Sequence, residues 1–600
     1  MLQPMTCRAR RVLSVLLLLL GSVWLRVPDA RAADPAPTLE ARRQALDQLL
    51  AEQWQDTLRQ SPEFATVLGD DRYNDRWSDN SLAASAARQA SLANWLARFE
   101  AIDSRDFPEV EQLNRTLMID QLRDALESLR LKLNLMPLDQ TNGAQLQYPQ
   151  FAAVVPTDSV RHYEDWLARL NAMPAQIDQL IALSRAGLAA GLVPPKFLLE
   201  KVAVQCESIA RPAGLDSAFA SPLARMPEGI AAADRARLKA AIVAAIDSKV
   251  RPAYRRLAQF VRRDYAPHGR LQPGIWALPN GEALYRYLVR SQTSTDLSPK
   301  AIHELGLKEV ARIEAEQTTI ARRFGYDDLA SFRAALKQDR DTFASSPEQI
   351  LDRYRQYNAQ MAPMLPKLFG LLPKSAVQVR AVEAYREQEA PGASYLQGSP
   401  DGKRPGLIYV NTGDFAHRSL LTIESTAYHE GSPGHHMQVS IAQTLPELPP
   451  FRQQGGYTAY VEGWALYSEQ LGKDVGFYTE PLSDYGRLSD ELLRANRLVL
   501  DTGVHDQHWT RQQMVDWFHA HSSDDEPDLQ SETDRYIAWP GQALAYKLGQ
   551  LRILALREEA KASLGDRFDI RQFHDVVLGG GALPLDALSE RVHHWLMTSR

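Results

Sequence analysis

Residues 429–436 read His429-Glu430-Gly431-Ser432-Pro433-Gly434-His435-His436, and the reading of this stretch decides how the rest of the chain is organised. His, Glu and His packed this tightly are the parts of a zinc hydrolase. Two imidazoles hold the ion, and the carboxylate beside the first takes a proton from the attacking water. The plain form, His-Glu-x-x-His, sets both imidazoles on one face of a helix. Here the fourth position after His429 is Pro433, so the second imidazole must come from His435 or His436. Two extra residues within Ser432-Pro433-Gly434 would bulge the helix and return His435 to the ligand position. Pro433 fits this, because it has no N–H to bond back to His429 and its ring kinks a helix. The plainer alternative is a turn bearing solvent-exposed His.

Two His require a third ligand, with a fourth position left for water. The segment Tyr457-Thr-Ala-Tyr-Val-Glu462-Gly-Trp-Ala-Leu-Tyr-Ser-Glu469 follows closely and reads as a helix. Glu462 and Glu469 are seven apart and share a face. Their apolar and aromatic neighbours imply burial, which is costly for a carboxylate unless it is paired or bound to metal. Glu462 is the expected ligand, and Glu469 the expected partner that orients a His. The alternative is a single exposed acidic face.

Gly406-Leu407-Ile408-Tyr409-Val410-Asn411 is β-prone and precedes the His/Glu stretch. As an edge strand it would offer free backbone groups to an extended peptide, making Tyr409 and Asn411 candidate substrate contacts. As an ordinary core strand it would not. Farther on come Asp501-Thr502-Gly503-Val504-His505, then Glu532, Arg535, Tyr536, Pro540-Gly541-Gln542 and Tyr546. Amide hydrolysis develops negative charge on the carbonyl oxygen, and a His or Tyr donor commonly stabilises it. His505, Tyr536 and Tyr546 are the candidates, each with a core residue as its alternative. Arg535 is placed either to bind a substrate carboxylate or to pair with Glu532.

Arg8, Arg10 and Arg11 precede an apolar run, Val12–Leu25, and then Ala30-Arg31-Ala32. This is the pattern of a secretory signal peptide over residues 1–32, so a periplasmic or secreted protein is expected. The run is short for a span, and no stable membrane insertion is expected after cleavage. Cys7 lies before the run, where it cannot carry a lipid at the cleavage point. After removal of the signal only Cys206 remains, which excludes an intramolecular disulfide and Cys-based zinc sites. A net charge of −6 leaves no basic footprint for nucleic acid.

The hydrophobic period is helical nearly throughout. Ile119, Leu122, Leu126, Leu129 and Leu133 step by three and four, as do Leu238, Ile242, Ile246, Val250, Tyr254, Leu257 and Val261, where Pro252 marks a kink or a new start. Ser298-Pro299 predicts a helix start running to about Phe324, and Thr510 with Gln513 predicts a capping box. Loops are expected at 212–226, 264–279 and 390–404.

Together, His-Glu-x-x-Pro-Gly-His-His, Tyr-Val-Glu-Gly-Trp-Ala-Leu-Tyr, Asp-Thr-Gly-x-His and Arg-Tyr-x-x-x-Pro-Gly-Gln-Ala resemble the DUF885 family of exported or lipoprotein-like bacterial proteins. The resemblance runs over nearly the whole mature chain and includes Tyr395 to Asn411. It implies a distant likeness to metallopeptidases with two His and a Glu as ligands, such as the carboxypeptidase Taq and thimet oligopeptidase groups. Their pattern aligns with Gly434-His435-His436-Met437 and so favours His435 over His436. It also implies a mostly α fold of two helical lobes around a deep channel, with a small edge-strand β element near the metal helix. An N-terminal lobe over 33–270 and a catalytic lobe over 271–600 are expected.

The leading expectation is an exported zinc peptidase acting on short peptides, with Glu430 as base, Zn²⁺ as Lewis acid, and His505 or a Tyr as oxyanion donor. A metal-dependent hydrolase of another amide or ester is the second reading. A non-catalytic peptide-binding protein is the third, and Glu430 argues against it, since a binder has no need of a base.

Overall fold

The computed structural model describes residues 37–599 except 385, 386, 388, 389, 524 and 525. The expected signal peptide lies outside the described residues. Helices dominate, and the one sheet has three short strands. No described helix is long and apolar enough to cross a membrane.

The stepped apolar residues Leu238 to Val261 are all buried, in one core with Trp166, Ile177 and Tyr163 of the long helix Val160–Ala189. Pro252 stands at the second position of the helix Arg251–Phe260, directly after a wide turn at Ile246–Val250. The reading of a new start therefore holds: Pro252 lies in the first turn of the helix that begins there. A second core is not sequential. Leu46, Leu49, Phe99, Leu117 and Met118 pack with Tyr428, Trp464, Ile553 and Val592. The helices before residue 131 thus complete the core of the half that carries the His/Glu stretch, and a division at 270 does not coincide with the division between cores. Burial follows the apolar face each helix offers, not its order in the chain.

Eight helices and three strands position the site. They are α1 (Pro299–Arg323), α2 (Pro347–Met361), β1 (Val377–Ala381), β2 (Ala393–Leu396), β3 (Gly406–Val410), α3 (Ile423–Glu430), α4 (His435–Gln443), α5 (Thr458–Asp474), α6 (Pro481–His505), α7 (Glu526–Ala538) and α8 (Leu544–Leu564). The Ser298 hydroxyl caps α1, as its sequence predicts. The Thr510–Gln513 capping box is formed by both of its hydrogen bonds. α1 packs along α6, and α5 along α8. The second pair crosses at Gly463 and Gly549, where a Cβ on Gly463 would lie 2.4 Å from the Gly549 Cα. Only glycines allow that approach.

The strand order is β1-β3-β2, with β1 parallel and β2 antiparallel to β3. β3 is therefore the central strand, buried at all five positions, and not an edge. β1 and β2 are the two edges, and β2 lies inside a stretch whose composition predicts only a loop. Four residues are too few for their alternation to register as a strand.

Candidate metal centre

The helix carrying His429 does not bulge; it stops. α3 ends at Glu430, and α4 begins at His435. The turn between them packs so closely that a Cβ on Gly434 would lie 2.0 Å from the His429 carbonyl oxygen. His429 thus leaves the last turn of one helix and His435 the first turn of the next. Their rings meet edge to face, with centroids 4.8 Å apart. Glu462 comes from α5, with Oε2 lying 3.3 Å from His435 Nε2 and 3.7 Å from His429 Nε2. One ligand atom from each of the three residues fits within 4.8 Å, so this trio could hold a metal ion.

His436 is elsewhere. Its Nε2 bonds the Ser375 carbonyl at 3.0 Å and its Nδ1 lies 3.2 Å from the Tyr395 hydroxyl, which ties α4 to the sheet. Burial pulls its pKa down to about 4, so it stays neutral. Glu469 takes the role its spacing predicts: Oε1 lies 2.8 Å from His429 Nδ1 and turns Nε2 toward Glu462. Behind it stands Arg494, 3.7 Å away and itself held by Asp490 at 2.6 Å. Asp490 in turn accepts from the Ser425 and Thr426 hydroxyls on α3. Burial alone would lower the pKa of His429, but hydrogen bonds to Glu462 and Glu469 outweigh it and raise the pKa to about 9. For Glu462, the penalty of burial is overcome by His435 and His429, which hold it well below the usual carboxylate range. The space between the three side chains therefore favours positive charge.

A cavity of about 1140 Å³ opens onto this cluster. Glu430 borders it with no hydrogen-bond partner among the described residues, while Phe64, Val67, Asn142 and Gln150 approach from the N-terminal side. Tyr546 of α8 stacks on His429, with centroids 6.3 Å apart. Its hydroxyl lies 3.3 Å from Gln542 Nε2 and 3.4 Å from Arg535 Nη2. Burial and the nearby Glu462 raise its pKa, so the phenol keeps its proton.

Four expected contacts are placed differently. His505 is fully buried, and backbone groups occupy both its ring nitrogens: Nδ1 accepts from Ile275 N–H at 3.0 Å, and Nε2 donates to the Tyr536 carbonyl at 2.9 Å. It does not border the cavity and has no N–H to aim at a substrate. The Tyr536 hydroxyl donates to Glu532 at 2.5 Å and accepts from Arg497 at 2.9 Å, so it too is engaged away from the cluster. Tyr409 packs with Val382 and Leu407 on the central strand. Asn411 borders the cavity, but its amide donates to the Glu387 and Ala390 carbonyls. Ala393–Gln397, from the edge strand onward, line the cavity instead. Arg535 pairs with Glu532 at 2.9 Å and also borders the cavity. Asp490, Arg494 and Arg497 escape a reading of motifs. Their three- and four-residue spacing on the apolar α6 is the signal that marks them, a charged stripe on a buried helix.

The fold and the cluster define a class: a helical protein with a buried cluster of two His and one Glu bordering a large cavity. Residues 62–592 match the family described as "Bacterial protein of unknown function (DUF885)", and the chain belongs to it. A "putative lipoprotein" of Colwellia psychrerythraea, 29% identical, superposes with a TM-score of 0.88 over 93% of this chain and 99% of that one. A "putative lipoprotein of unknown function" from Shewanella oneidensis, 18% identical, shares the fold at a TM-score of 0.66 over 92% and 99%. No curated protein matches the chain.

Proposed function

We propose that this protein is an exported, zinc-dependent peptidase of short peptides. The observation that carries the reading is the convergence of His429, His435 and Glu462 beside Glu430, a buried carboxylate with no partner among the described residues and open to the cavity. Donors around a tetrahedral zinc sit about 3.3 Å apart, and the 3.3 and 3.7 Å separations to Glu462 Oε2 fit that spacing. Two imidazoles and a carboxylate with an open fourth position are a catalytic rather than a structural donor set. Zinc bound there supplies Lewis acidity toward a carbonyl and toward water. Glu430 takes the proton of the attacking water and returns it to the departing nitrogen. The Tyr546 hydroxyl donates to the carbonyl oxygen as its charge grows. The free edge of β2 can pair with an extended peptide backbone. Export is supported by the Arg-rich, apolar start of the sequence and by the descriptions of the two similar structures.

Metal analysis and a mixed-peptide assay test this directly. The purified protein should carry one zinc per chain, lose peptide hydrolysis on chelation and regain it on zinc addition. Glu430→Gln should keep the zinc and lose roughly 10²–10⁴-fold in turnover. Full activity in a zinc-loaded, folded Glu430→Gln protein would remove the mechanism.

A further inference from the structure

The metal chemistry leaves Arg497 and Arg535 unused. Arg497 on α6 donates from Nε to the Tyr536 hydroxyl and from Nη2 to Glu532 at 2.8 Å. Arg535 on α7 donates from Nη1 to the other oxygen of the same carboxylate at 2.9 Å. One carboxylate is shared by two guanidinium groups, which leaves one positive charge in surplus. Both arginines border the cavity, and Arg497 Nη1 and Arg535 Nε are buried without an acceptor. Buried charged donors are ordinarily paired, and an incomplete set asks for a ligand. Arg494 differs, because Asp490 and Glu469 already balance it.

The position of this surplus is fixed. The Arg497 guanidinium lies 4.3 Å from the centroid of the Tyr546 ring, and that of Arg535 lies 5.9 Å from it. The same ring stacks on His429. The two cations thus lie against the same ring that touches the His/Glu cluster. An extended peptide advances about 3.3–3.6 Å per residue, so a peptide of a few residues reaches from the cluster to the arginines. A planar anion matches paired guanidinium donors best, and a carboxylate has that shape.

We propose that Arg497 and Arg535 receive the C-terminal carboxylate of a peptide, so that the protein removes a short segment from the C-terminal end. The cleavage rests on the peptidase reading above; the carboxylate site does not. Hydrolysis places the water's hydroxyl on the acyl carbon and its proton on the released nitrogen, so no further reactant is needed. Glu532 holds both guanidinium groups in register and limits the site to one added anion.

Binding and turnover test the two parts separately. Zinc-loaded Glu430→Gln protein is titrated with an N-acetylated tetrapeptide lacking acidic side chains, as the free acid and as the C-terminal amide. A third titration uses the amide with one Glu side chain. The acid should bind at least tenfold tighter than either amide. Arg497→Gln or Arg535→Gln should bring the ratio close to one, and Arg497→Lys should restore part of it. With wild-type protein, mass spectrometry should show loss from the C-terminal end, and amidation should raise KM more than it lowers kcat. Equal binding of acid and amide overturns the proposal, as does a Glu side chain that substitutes fully for the terminus. The acid–amide comparison needs no variant, so it decides even where an arginine replacement fails to fold. Discrimination in binding without hydrolysis of any peptide would defeat the peptidase reading and leave the carboxylate site standing.

Discussion

Tyr546 shows how one side chain can be held for a single task. Its ring is packed against both His429 and Arg497, and its hydroxyl accepts from Gln542 and Arg535. Gln542 Nε2 and Arg535 Nη2 both donate to the phenol oxygen, at 3.3 and 3.4 Å, so the ring is positioned while its own proton meets no acceptor among the described residues. A donor of this kind acts mainly where charge develops. Tyr546→Phe should lower kcat by roughly 10²–10³-fold with little change in KM or zinc content. A loss confined to KM would instead make it a ground-state contact. His505 is the opposite case. The string Asp501-Thr502-Gly503-Val504-His505 reads like a tight turn that could aim an imidazole, yet it is the last turn of a 25-residue helix. Gly503 is there because a Cβ would lie 2.7 Å from the Trp509 ring. Residue types announce chemistry, but only packing says which nitrogen is free.

At the scale of elements, the centre depends on helix ends and one helix crossing. α3 and α4 meet head to tail at the metal cluster, and the α5–α8 crossing at Gly463 and Gly549 brings Glu462 beside Tyr546. The convergence of His429, His435 and Glu462, with Glu469 beside them, was legible from the sequence because such types are rare in apolar surroundings and the two Glu follow the helical period. The interruption at Ser432-Pro433-Gly434 was legible as a break in the pattern, but not as two separate helices. The sheet was legible only in part: Gly406–Asn411 read as a strand, but not as the central one. Leu407-Ile408-Tyr409-Val410 is a continuous apolar run, which is how a central strand reads, and its edge partner is too short to show a period. α6 carries a relay from Asp490 through Arg494 to Glu469 and on to His429. Loss of a partner that orients a liganding His typically weakens metal binding 10–100-fold. Glu469→Gln should therefore raise the zinc dissociation constant within that range while Glu430 stays in place. Competition with a chromogenic chelator measures it, and unchanged affinity would show that His429 needs no such support.

At the scale of the whole molecule, Asp501 joins the helix Gly281–Thr293, through Tyr285, to the loop between α7 and α8 that leads from Arg535 to Tyr546. Its carboxylate accepts from the Tyr285 hydroxyl at 2.6 Å and from Gly541 N–H at 3.0 Å. Gly541 has a φ of +85°, a conformation that favours glycine, so the Pro540-Gly541 turn between α7 and α8 is pinned by residue type and by Asp501 together. Complete burial raises the pKa of Asp501 to about 7, against the lowering effect of those two donors. Unfolded, the group titrates near its ordinary value of about 3.9. Between these values the folded chain holds a proton that the unfolded chain has released, so folding stability falls as pH rises. The slope from this one group approaches a little over 1 kcal/mol per pH unit and vanishes above the folded pKa. Glu491 and Glu532 work in the other direction and in another window. Burial opposes their charge, but Lys547 with Arg312, and Arg535 with Arg497, bring each down to about 2, so their contribution is lost only as pH falls below the ordinary carboxylate range. The two effects separate on the pH axis. Asp501→Asn keeps the shape and removes the titration. Denaturant unfolding of the metal-free protein from pH 4.5 to 7.5 should show wild-type stability falling with pH relative to Asp501→Asn, because His436, His505 and His574, kept neutral by burial, add the same rise to both profiles. Identical slopes in the two proteins would mean that Asp501 is charged throughout, its two donors outweighing its burial.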